Sequence, residues 1–422
     1  ITCRDWSSDV CSSDLMSREE AASSTARETL DASGCIVMPG FINGHTHAAM
    51  TMLRGFADDL SLKEWLTRYI WPAENRGMTR ENVRLGTRLA LLEMIASGTV
   101  MFADMYFFED EVARVCEEAG MRVLIGEGIL GFPTPSMKSA QEAMDFTREL
   151  AIHYKNHERV KVAYAPHSIY TCSDELLKEI AQRSASDGIP VHIHLSETRK
   201  EFDDCLSNHG LTPTSYIHSM GLLNSSLIAA HMVHITPDDI QMVKDSGAGI
   251  VHNPSSNLKL ASGFGPVGDC LSAGIPMGLG TDGAAANNNL SIPTEIRMTS
   301  LVNKLVSGDP RAMNARQAVY MATLGGARVL GADSFTGSIR IGKSADLIVI
   351  PLNKPHLQPV YDLFSHLAYC LQPGDVRDVI IHGLPVYRNS QFTTLDPDHI
   401  LQEVRTASAH LHKAFHHGKL IS

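Results

Sequence analysis

Residues 160–197 read VKVAYAPHSIYTCSDELLKEIAQRSASDGIPVHIHLSE, and this stretch decides the fold. Two short apolar runs, Val160–His167 and Pro190–Glu197, enclose a segment with helical periodicity. Ser173 is a favourable N-cap for that helix, and Gly188 is suited to end it because glycine adopts the left-handed conformation without strain. A strand, a helix and a second strand in this order predict a β–α–β unit, in which the two strands run parallel.

The same alternation continues on both sides of this unit. Apolar, β-branched runs are separated by further helical patterns, which begin at residues such as Thr79 and Thr236. The eight predicted strands are Ile36–His47, Thr99–Met105, Arg122–Ile129, Val160–His167, Pro190–Glu197, Leu227–His234, Ala248–Asn253 and Pro276–Asp282. Eight strand–helix units predict an α/β fold, and specifically a (β/α)8 TIM-like barrel with parallel strands.

We assign residues 35–335 to this barrel and the remainder to three other segments. Residues 1–34 are expected to form an irregular leader, and the first 15 are expected to be foreign because they resemble translated sequencing-adapter sequence. Residues 336–395 contain short apolar runs around a turn at Gly383, which predicts a small antiparallel unit. Residues 396–422 are predicted to be a C-terminal helix and tail.

Most of the predicted strands end in polar side chains. Catalytic groups of this type of barrel lie at the carboxyl ends of its strands, so we expect the active site there. The polar residues at these ends are His45, His47, Asp104, Glu127, His167, His194, Glu197, His231, His234, His252, Asn253 and Asp282.

Four of these residues form a candidate metal site. His45 and His47 alternate along one strand, so both side chains point to the same face. His194 and Asp282 end two other strands. Imidazole and carboxylate ligands suit Zn²⁺ or another late divalent metal, and we favour Zn²⁺ over iron and manganese.

Composition excludes several classes of function. The net charge is −11, which makes nucleic acid an improbable partner because its backbone is anionic. No apolar run reaches the roughly 18 residues of a membrane span. The eight cysteines are scattered, without a C-x-x-C pair, which indicates reduced thiols and a cytoplasmic protein.

Several motifs resemble the amidohydrolase superfamily. They are PGFINGHTH at 39–47, HIHLSET at 192–198, AAHMVH at 229–234, NPSSNLKLASG at 253–263 and GLGTDGA at 278–284. The segment HAAMTMLRGFADDLSLKEWL at 47–66, followed by WPAE at 71–74, resembles the branch that contains 5′-methylthioadenosine/S-adenosylhomocysteine deaminase. This resemblance implies a distorted barrel with a small β-sandwich built from both chain ends.

One departure from the family pattern concerns the start of the chain. Relatives enter the barrel through sandwich strands that precede the H-x-H motif, whereas residues 16–44 show no such strand. We therefore expect the N-terminal half of the sandwich to be missing and the chain to be less stable than a full-length relative, because an uncovered strand edge remains.

The resemblance also assigns chemistry to particular residues. Members with two metals use a lysine at the end of strand 4, but the only lysine of that strand here, Lys161, lies at its start. A single metal is therefore expected. By resemblance, Asp282 accepts a proton from the attacking water, His231 orients that water, and Glu197 transfers a proton to N1 of the purine ring.

Substrate contacts follow from the same resemblance. Glu74 is expected to bind the ribose hydroxyls and His167 to contact the base, so the substrate is a small purine nucleoside and the product its 6-oxo form plus ammonia. Glu127 stands where relatives that accept S-adenosylhomocysteine carry arginine, and its charge favours substrates with an uncharged 5′ group. These are 5′-methylthioadenosine, 5′-deoxyadenosine and adenosine.

Two alternatives stay open on the sequence. One is the deamination or hydrolysis of another heterocycle, such as guanine, a pterin or an s-triazine, which would give Glu74 no ribose to bind. The other is an inactive fragment that binds metal. The sequence does not decide the oligomeric state either, although many members of the family are homo-oligomers.

Overall fold

The structure is a computed structural model that describes residues 2–3 and 28–417. Its strands, in chain order, are β1 (Thr2–Cys3), β2 (Glu28–Thr29), β3 (Cys35–Pro39), β4 (Phe41–Thr46), β5 (Thr99–Tyr106), β6 (Arg122–Ile129), β7 (Val160–Val162), β8 (Ala165–Pro166), β9 (Val191–Leu195), β10 (Leu227–His231), β11 (Gly249–His252), β12 (Met277–Leu279), β13 (Leu347–Pro351), β14 (Asp378–Ile381), β15 (Leu384–Arg388) and β16 (Gln391–Phe392).

Two parallel sheets dominate the fold, which confirms an α/β protein with parallel strands. One sheet has the order β4-β5-β6-β7, with β8 also paired to β6, and the other has the order β12-β11-β10-β9. The sheets meet at bridges between Tyr164 and Val191 and between Ser168 and His194. At the other side, the backbone N–H of Asp282 donates to the carbonyl oxygen of His45 at 3.0 Å.

A third sheet is antiparallel and has the order β16-β15-β14-β13-β3. It confirms the antiparallel unit expected after residue 336, and it adds a strand from the start of the described chain. β3 pairs with β13 over five residue pairs, from Leu347 opposite Pro39 to Pro351 opposite Cys35.

This pairing corrects two sequence predictions. The run Ile36–His47 is two strands, because the chain leaves the antiparallel sheet at Gly40 and enters the parallel sheet at Phe41. The expectation that no strand precedes the His45 pair is wrong, since β3 does so. A long run with two glycines inside it, Gly40 and Gly44, does not reveal where the chain passes from one sheet to the other.

Helices connect most of the strands. Their bounds are Ala48–Leu53 (3-10), Leu62–Glu64, Trp65–Ile70 (π), Trp71–Gly77, Arg80–Ala96, Glu109–Ala119, Ala140–His153, Asp174–Asp187, Arg199–His209, Pro213–Ser219, Pro237–Ser246, Pro254–Lys259, Val267–Ser272, Ile292–Ser307, Ala315–Tyr320, Met321–Gly325 (π), Gly326–Val329, Pro355–Leu357 (3-10), Leu363–Ser365, His366–Cys370 (π), Pro373–Asp375 (3-10) and Pro397–His417.

The helix boundaries follow from local sequence. The Ser173 hydroxyl accepts a hydrogen bond from the backbone N–H of Leu176, and Gly188 ends that helix at φ 69°. Thr236 and Asp239 form a reciprocal capping box before Pro237–Ser246. Each cap satisfies backbone groups that a helix end leaves unpaired, so the predicted helix starts at Ser173 and Thr236 are confirmed.

Three further expectations concern the chain as a whole. Most of the leader, including the stretch expected to be foreign, lies outside the described residues. The six cysteines whose side chains are described are all free, in agreement with reduced thiols. No helix in the described part of the chain combines the length and the apolar composition that a membrane span requires.

Candidate active site

Three histidines gather at the carboxyl ends of two strands. His45 and His47 come from the end of β4, and His194 comes from β9. Their ring nitrogens lie within 4.8 Å of one another, and Nε2 of His47 is 3.3 Å from Nε2 of His194. The structure therefore brings together three histidines that are distant in the sequence.

The other ring nitrogen of each histidine is held by a neighbour. His47 Nδ1 contacts the carbonyl oxygen of Met105, and His194 Nδ1 contacts that of His167 at 2.7 Å. A carbonyl oxygen accepts only, so each Nδ1 carries a proton, and in a neutral ring Nε2 is the nitrogen left to bind a cation. His45 Nδ1 contacts His192 Nε2 at 2.9 Å, while His45 Nε2 is buried without a partner.

Asp282 completes this cluster. Its Oδ1 lies 3.2 Å from His47 Nε2 and 3.7 Å from His45 Nε2. Burial alone would raise its pKa, but the hydrogen bond with His47 and the charge of that ring lower it to about 2. The pKa of His47 rises to about 8 against the effect of burial, through the same contact.

The backbone around Asp282 permits this approach. Asp282 itself has φ 61°, a conformation in which non-glycine residues are uncommon. At Gly283, a Cβ atom would lie 2.7 Å from the sulfur of Met50 and 3.1 Å from the Cβ of His47. The second glycine of the GTDG motif therefore allows close packing against Met50 and His47.

Burial keeps most of the histidines neutral. The pKa of His45 and that of His194 lie well below the usual range, first because both rings are buried and then because other imidazoles surround them. Burial also lowers the pKa of His167 to about 3. Neutral imidazoles with outward lone pairs are the form that binds a divalent cation.

Glu197 and His231 border the same space. The chain turns at Ser196 (φ 51°) directly after β9, as the spacing between His194 and Glu197 predicts. Glu197 is buried, which raises the pKa of its carboxyl group, and its Oε1 accepts a hydrogen bond from Ser262. His231 Nδ1 is 2.8 Å from Asn257 Oδ1, which leaves Nε2 available.

One pocket joins these residues to the predicted substrate contacts. The space in it that the centre of a water molecule can occupy is about 60 Å³. Its polar lining is His47, Glu74, Tyr106, His167, Tyr170, His194, Glu197, His231 and Asp282, and its apolar lining includes Trp65, Leu66, Trp71 and Leu260. Of the eight residues predicted as metal ligands, catalytic groups or substrate contacts, all except His45 line this pocket.

Glu74 is the most isolated carboxylate of the pocket. It is 3% exposed, and its Oε1 accepts a hydrogen bond from the Tyr106 hydroxyl at 2.8 Å. Burial raises its pKa to about 7. A buried carboxyl group with one partner keeps acceptor capacity for a ligand hydroxyl.

Glu127, which was predicted to influence the choice of substrate, lies outside the pocket. Its side chain does not line the pocket. One carboxylate oxygen accepts from the backbone N–H of Glu109 at 3.0 Å, and the other accepts from the hydroxyl of Ser136. The sequence places Glu127 at the end of a strand but does not show that its neighbours Gly126 and Gly128 leave it facing away.

The sequence analysis also missed the residues that hold the catalytic groups. His192 contacts His45, Ser256 donates to Asp282 Oδ2 at 2.6 Å, and Asn257 contacts His231. His192 alternates with His194 on one strand and could have been found from that period. Ser256 and Asn257 belong to the motif at 253–263 that carries the family resemblance, but no periodicity within that motif assigns them these partners.

Comparisons with known proteins agree with this architecture. The Amidohydrolase family profile matches residues 36–386. The chain is 44% identical over 381 residues to 5-methylthioadenosine/S-adenosylhomocysteine deaminase 1 of Syntrophus aciditrophicus, covering 90% of this chain and 86% of that protein.

Solved structures give the same result. A zinc-bound adenosine deaminase from Xanthomonas campestris superposes with a TM-score of 0.89 at 36% identity, over 90% of this chain and 87% of that one. Atrazine chlorohydrolase from Arthrobacter aurescens has a TM-score of 0.82 at 23% identity, over 91% and 92%, and shares the fold. The chain therefore belongs to the amidohydrolase family.

Proposed function

We propose that this protein is a metal-dependent hydrolytic deaminase, which converts the 6-amino group of an adenosine-type nucleoside to a 6-oxo group and releases ammonia. The observation that carries the proposal is the single pocket in which the histidine–aspartate cluster, Glu197 and Glu74 all meet. The names of the relatives, a 5-methylthioadenosine/S-adenosylhomocysteine deaminase and an adenosine deaminase, support the same reaction.

The two parallel sheets fit a closed (β/α)8 barrel over residues 35–335, with a small sandwich over residues 336–395 and a helical tail from residue 396. Backbone bridges join β7 and β8 to β9. Thr281, after β12, exchanges hydrogen bonds with the side chain of Asn43 on β4 at 2.7 and 3.0 Å. Contacts at both seams of the sheets support closure.

The donor set fits one divalent metal ion. His45, His47, His194 and Asp282 would hold it, and the buried, unpartnered Nε2 of His45 is otherwise difficult to explain. Three imidazoles and one carboxylate suit zinc. When bound, such an ion lowers the pKa of a coordinated water from near 16 toward about 7.

Residues of the protein itself then transfer the protons and orient the water. Asp282 accepts a proton from the attacking water, and Nε2 of His231 accepts a hydrogen bond that orients this water. Glu197, whose pKa is raised by burial, donates its proton to N1 of the purine as oxygen adds at C6. When the C6–N bond breaks, Asp282 passes the proton taken from the water to the departing amine, and Glu197 recovers a proton from the C6 hydroxyl, which leaves the 6-oxo product and ammonia. General acid–base help of this kind contributes roughly 10²–10⁴-fold.

Two residues position the substrate in the pocket. Glu74 accepts hydrogen bonds from the ribose hydroxyls, and His167, 4.8 Å between ring centroids from His194, contacts the base. Because Glu127 faces away from the pocket, it gives no reason to exclude S-adenosylhomocysteine. The substrates are 5′-methylthioadenosine, 5′-deoxyadenosine, adenosine and S-adenosylhomocysteine.

Ammonia release from a panel of substrates tests this proposal. The metal-loaded protein is incubated with the four nucleosides and, in parallel, with guanine, a pterin and an s-triazine, while ultraviolet absorbance follows the loss of the 6-amino chromophore. We expect turnover of the nucleosides only. Turnover of a ribose-free heterocycle alone would replace the proposal, and metal binding without any turnover would indicate an inactive protein.

A further inference from the structure

The segment Asn253–Ser262, which follows β11, contacts all three of the residues to which the proposed reaction assigns proton transfer or orientation of the water. The Ser256 hydroxyl donates to Asp282 Oδ2 at 2.6 Å. Asn257 Oδ1 lies 2.8 Å from His231 Nδ1. The Ser262 hydroxyl donates to Glu197 Oε1 at 3.1 Å.

Local geometry explains how ten residues reach three partners on three different strands. Pro254 starts a helix immediately after the strand, and successive helical residues point about 100° apart. Ser256 and Asn257 therefore face different neighbours. Ala261 then adopts φ 52°, and the backbone N–H of Ser262 closes back onto the carbonyl oxygen of Asn257 at 2.8 Å.

The three polar side chains that make these contacts are almost completely inaccessible. Ser256 and Asn257 are fully buried and Ser262 is 5% exposed. None of the three hydroxyl or amide groups points at solvent, and the pocket lining does not include Ser256 or Asn257. Any effect of these residues on the reaction passes through the side chains they touch.

We propose that Ser256, Asn257 and Ser262 are positioning residues, and that this one segment sets the orientation of Asp282, His231 and Glu197 together. Asn257 accepts the Nδ1 proton of His231 and so directs its Nε2 lone pair into the pocket. Ser256 fixes one oxygen of Asp282 and leaves the other facing His47. Ser262 fixes the rotamer of Glu197 while its second oxygen stays available.

This inference rests on the proposed function, and four variants test it. Asn257→Leu keeps volume but removes the acceptor, while Asn257→Asp retains it. Ser262→Ala and Ser256→Ala remove single hydroxyls. The matched control is Leu258→Ala, since Leu258 lies on the same helix turn, is 40% exposed and touches none of the three catalytic side chains.

We expect Asn257→Leu and Ser262→Ala to lower kcat by roughly 10–100-fold, the range for residues that orient a metal site. KM should stay within about twofold because neither residue touches substrate, and metal content should be unchanged. Ser256→Ala should in addition release metal faster, because Asp282 is a ligand. Asn257→Asp should recover most of the activity lost in Asn257→Leu.

Equal kcat in Asn257→Leu, Ser262→Ala and the wild type would overturn the inference, as would an equal loss in Leu258→Ala. Two readouts do not depend on turnover. One is metal retention during dialysis, compared between Ser256→Ala and Leu258→Ala. The other is the ¹⁵N imidazole shift of His231, which reports whether Nδ1 carries the proton. If the wild type turns over no nucleoside, the proposed function fails while these two readouts still decide the positioning roles.

Discussion

Two clusters of buried ionisable groups lie side by side in this protein and respond to burial in opposite ways. We call them the histidine cluster (His45, His47, His194) and the carboxyl cluster (Asp104, Glu109, Glu127). Burial lowers the pKa of most members of the first. It raises the pKa of the second, to about 6 for Asp104, to about 7 for Glu127 and well above the usual range for Glu109.

The difference shows that one physical effect prepares two kinds of chemistry. Desolvation disfavours the charged form of any group. A neutral imidazole has a lone pair to offer, whereas a neutral carboxyl group carries a proton there instead. Among the described residues, only the histidine cluster has ligand atoms gathered within 4.8 Å. We therefore expect the histidine cluster to hold a cation and the carboxyl cluster to contribute to stability.

Of all the changes proposed, removal of the metal from the histidine cluster should have the largest effect on activity. After dialysis against a chelator we expect kcat to fall by about 10³-fold or more, since a metal contributes several kcal/mol to such reactions. The midpoint of thermal unfolding should also fall, because an ion that binds only the folded state stabilises it. Added Zn²⁺ should restore both quantities.

Full activity of a protein shown by elemental analysis to contain no metal would contradict the role of the histidine cluster. Restoration by Mg²⁺ but not by Zn²⁺ would contradict the choice of metal, because magnesium prefers oxygen ligands.

Glu197 tests whether a buried acid acts chemically when it faces the pocket. Like the carboxyl cluster it has a raised pKa, but like the histidine cluster it borders open space. We expect Glu197→Gln to lower kcat by roughly 10²–10⁴-fold with unchanged metal content, measured by ammonia release and elemental analysis.

The control for this variant is Glu201→Gln. Glu201 is also buried, with its pKa raised to about 7, but it binds the backbone N–H groups of Ser196 and Glu197 and does not line the pocket. We expect it to lose stability more than activity per folded molecule. An equal loss of kcat in both variants would refute a proton-transfer role that belongs to Glu197 alone.

Sequence patterns predicted the parallel sheets and the histidine cluster because both rest on short-range periodicity. The alternation of His45 and His47 places two rings on one face, and the strand ends place His194 and Asp282 at the same edge. The split of the first strand at Gly40 was missed because residues on either side are equally apolar, and the choice of sheet depends on the distant strand β13.

The sequence does not predict how side chains are oriented when they lie next to glycines or in a short helix. Glu127 was expected in the pocket, but its oxygens are taken by Ser136 and the backbone of Glu109. Conversely, the partners of the catalytic groups in Asn253–Ser262 depend on the positive φ of Ala261. Neither feature leaves a periodic trace, since each is set by tertiary contacts.

Glu74 differs from the pocket residues that transfer protons, because we expect it to bind the substrate. Glu74→Gln should lower kcat/KM for nucleosides by about 10–100-fold, mainly through KM, since a hydrogen bond to a charged group contributes about 1.5–3 kcal/mol. Activity toward 2′,3′-dideoxyadenosine, a nucleoside that lacks the two ribose hydroxyls, should change by less than about twofold. Equal losses for dideoxyadenosine and adenosine in steady-state kinetics would show that Glu74 does not act through these hydroxyls.

The carboxyl cluster should affect the free energy of unfolding and not the rate of the reaction. Unfolded Glu127 ionises near pH 4.5, but in the folded protein its pKa is about 7 because of burial. Between these values the folded chain binds more protons than the unfolded chain, so rising pH favours unfolding. This group should therefore lower the free energy of unfolding by about 1–3 kcal/mol from pH 4.5 to pH 7, with no further change above.

Glu127→Gln removes the titrating group and should flatten that decline, as measured by urea unfolding at pH 5.0 and 7.5. Ser136→Ala is the matched control: it removes a hydrogen bond to Glu127 but no ionisable group, so it should lower stability at both pH values while the decline persists. If Glu127→Gln declines as steeply as the wild type, Glu127 is already ionised in the fold. A cation or an unrecognised donor must then compensate its charge, and the division between a proton-filled cluster and a metal-binding cluster would no longer hold.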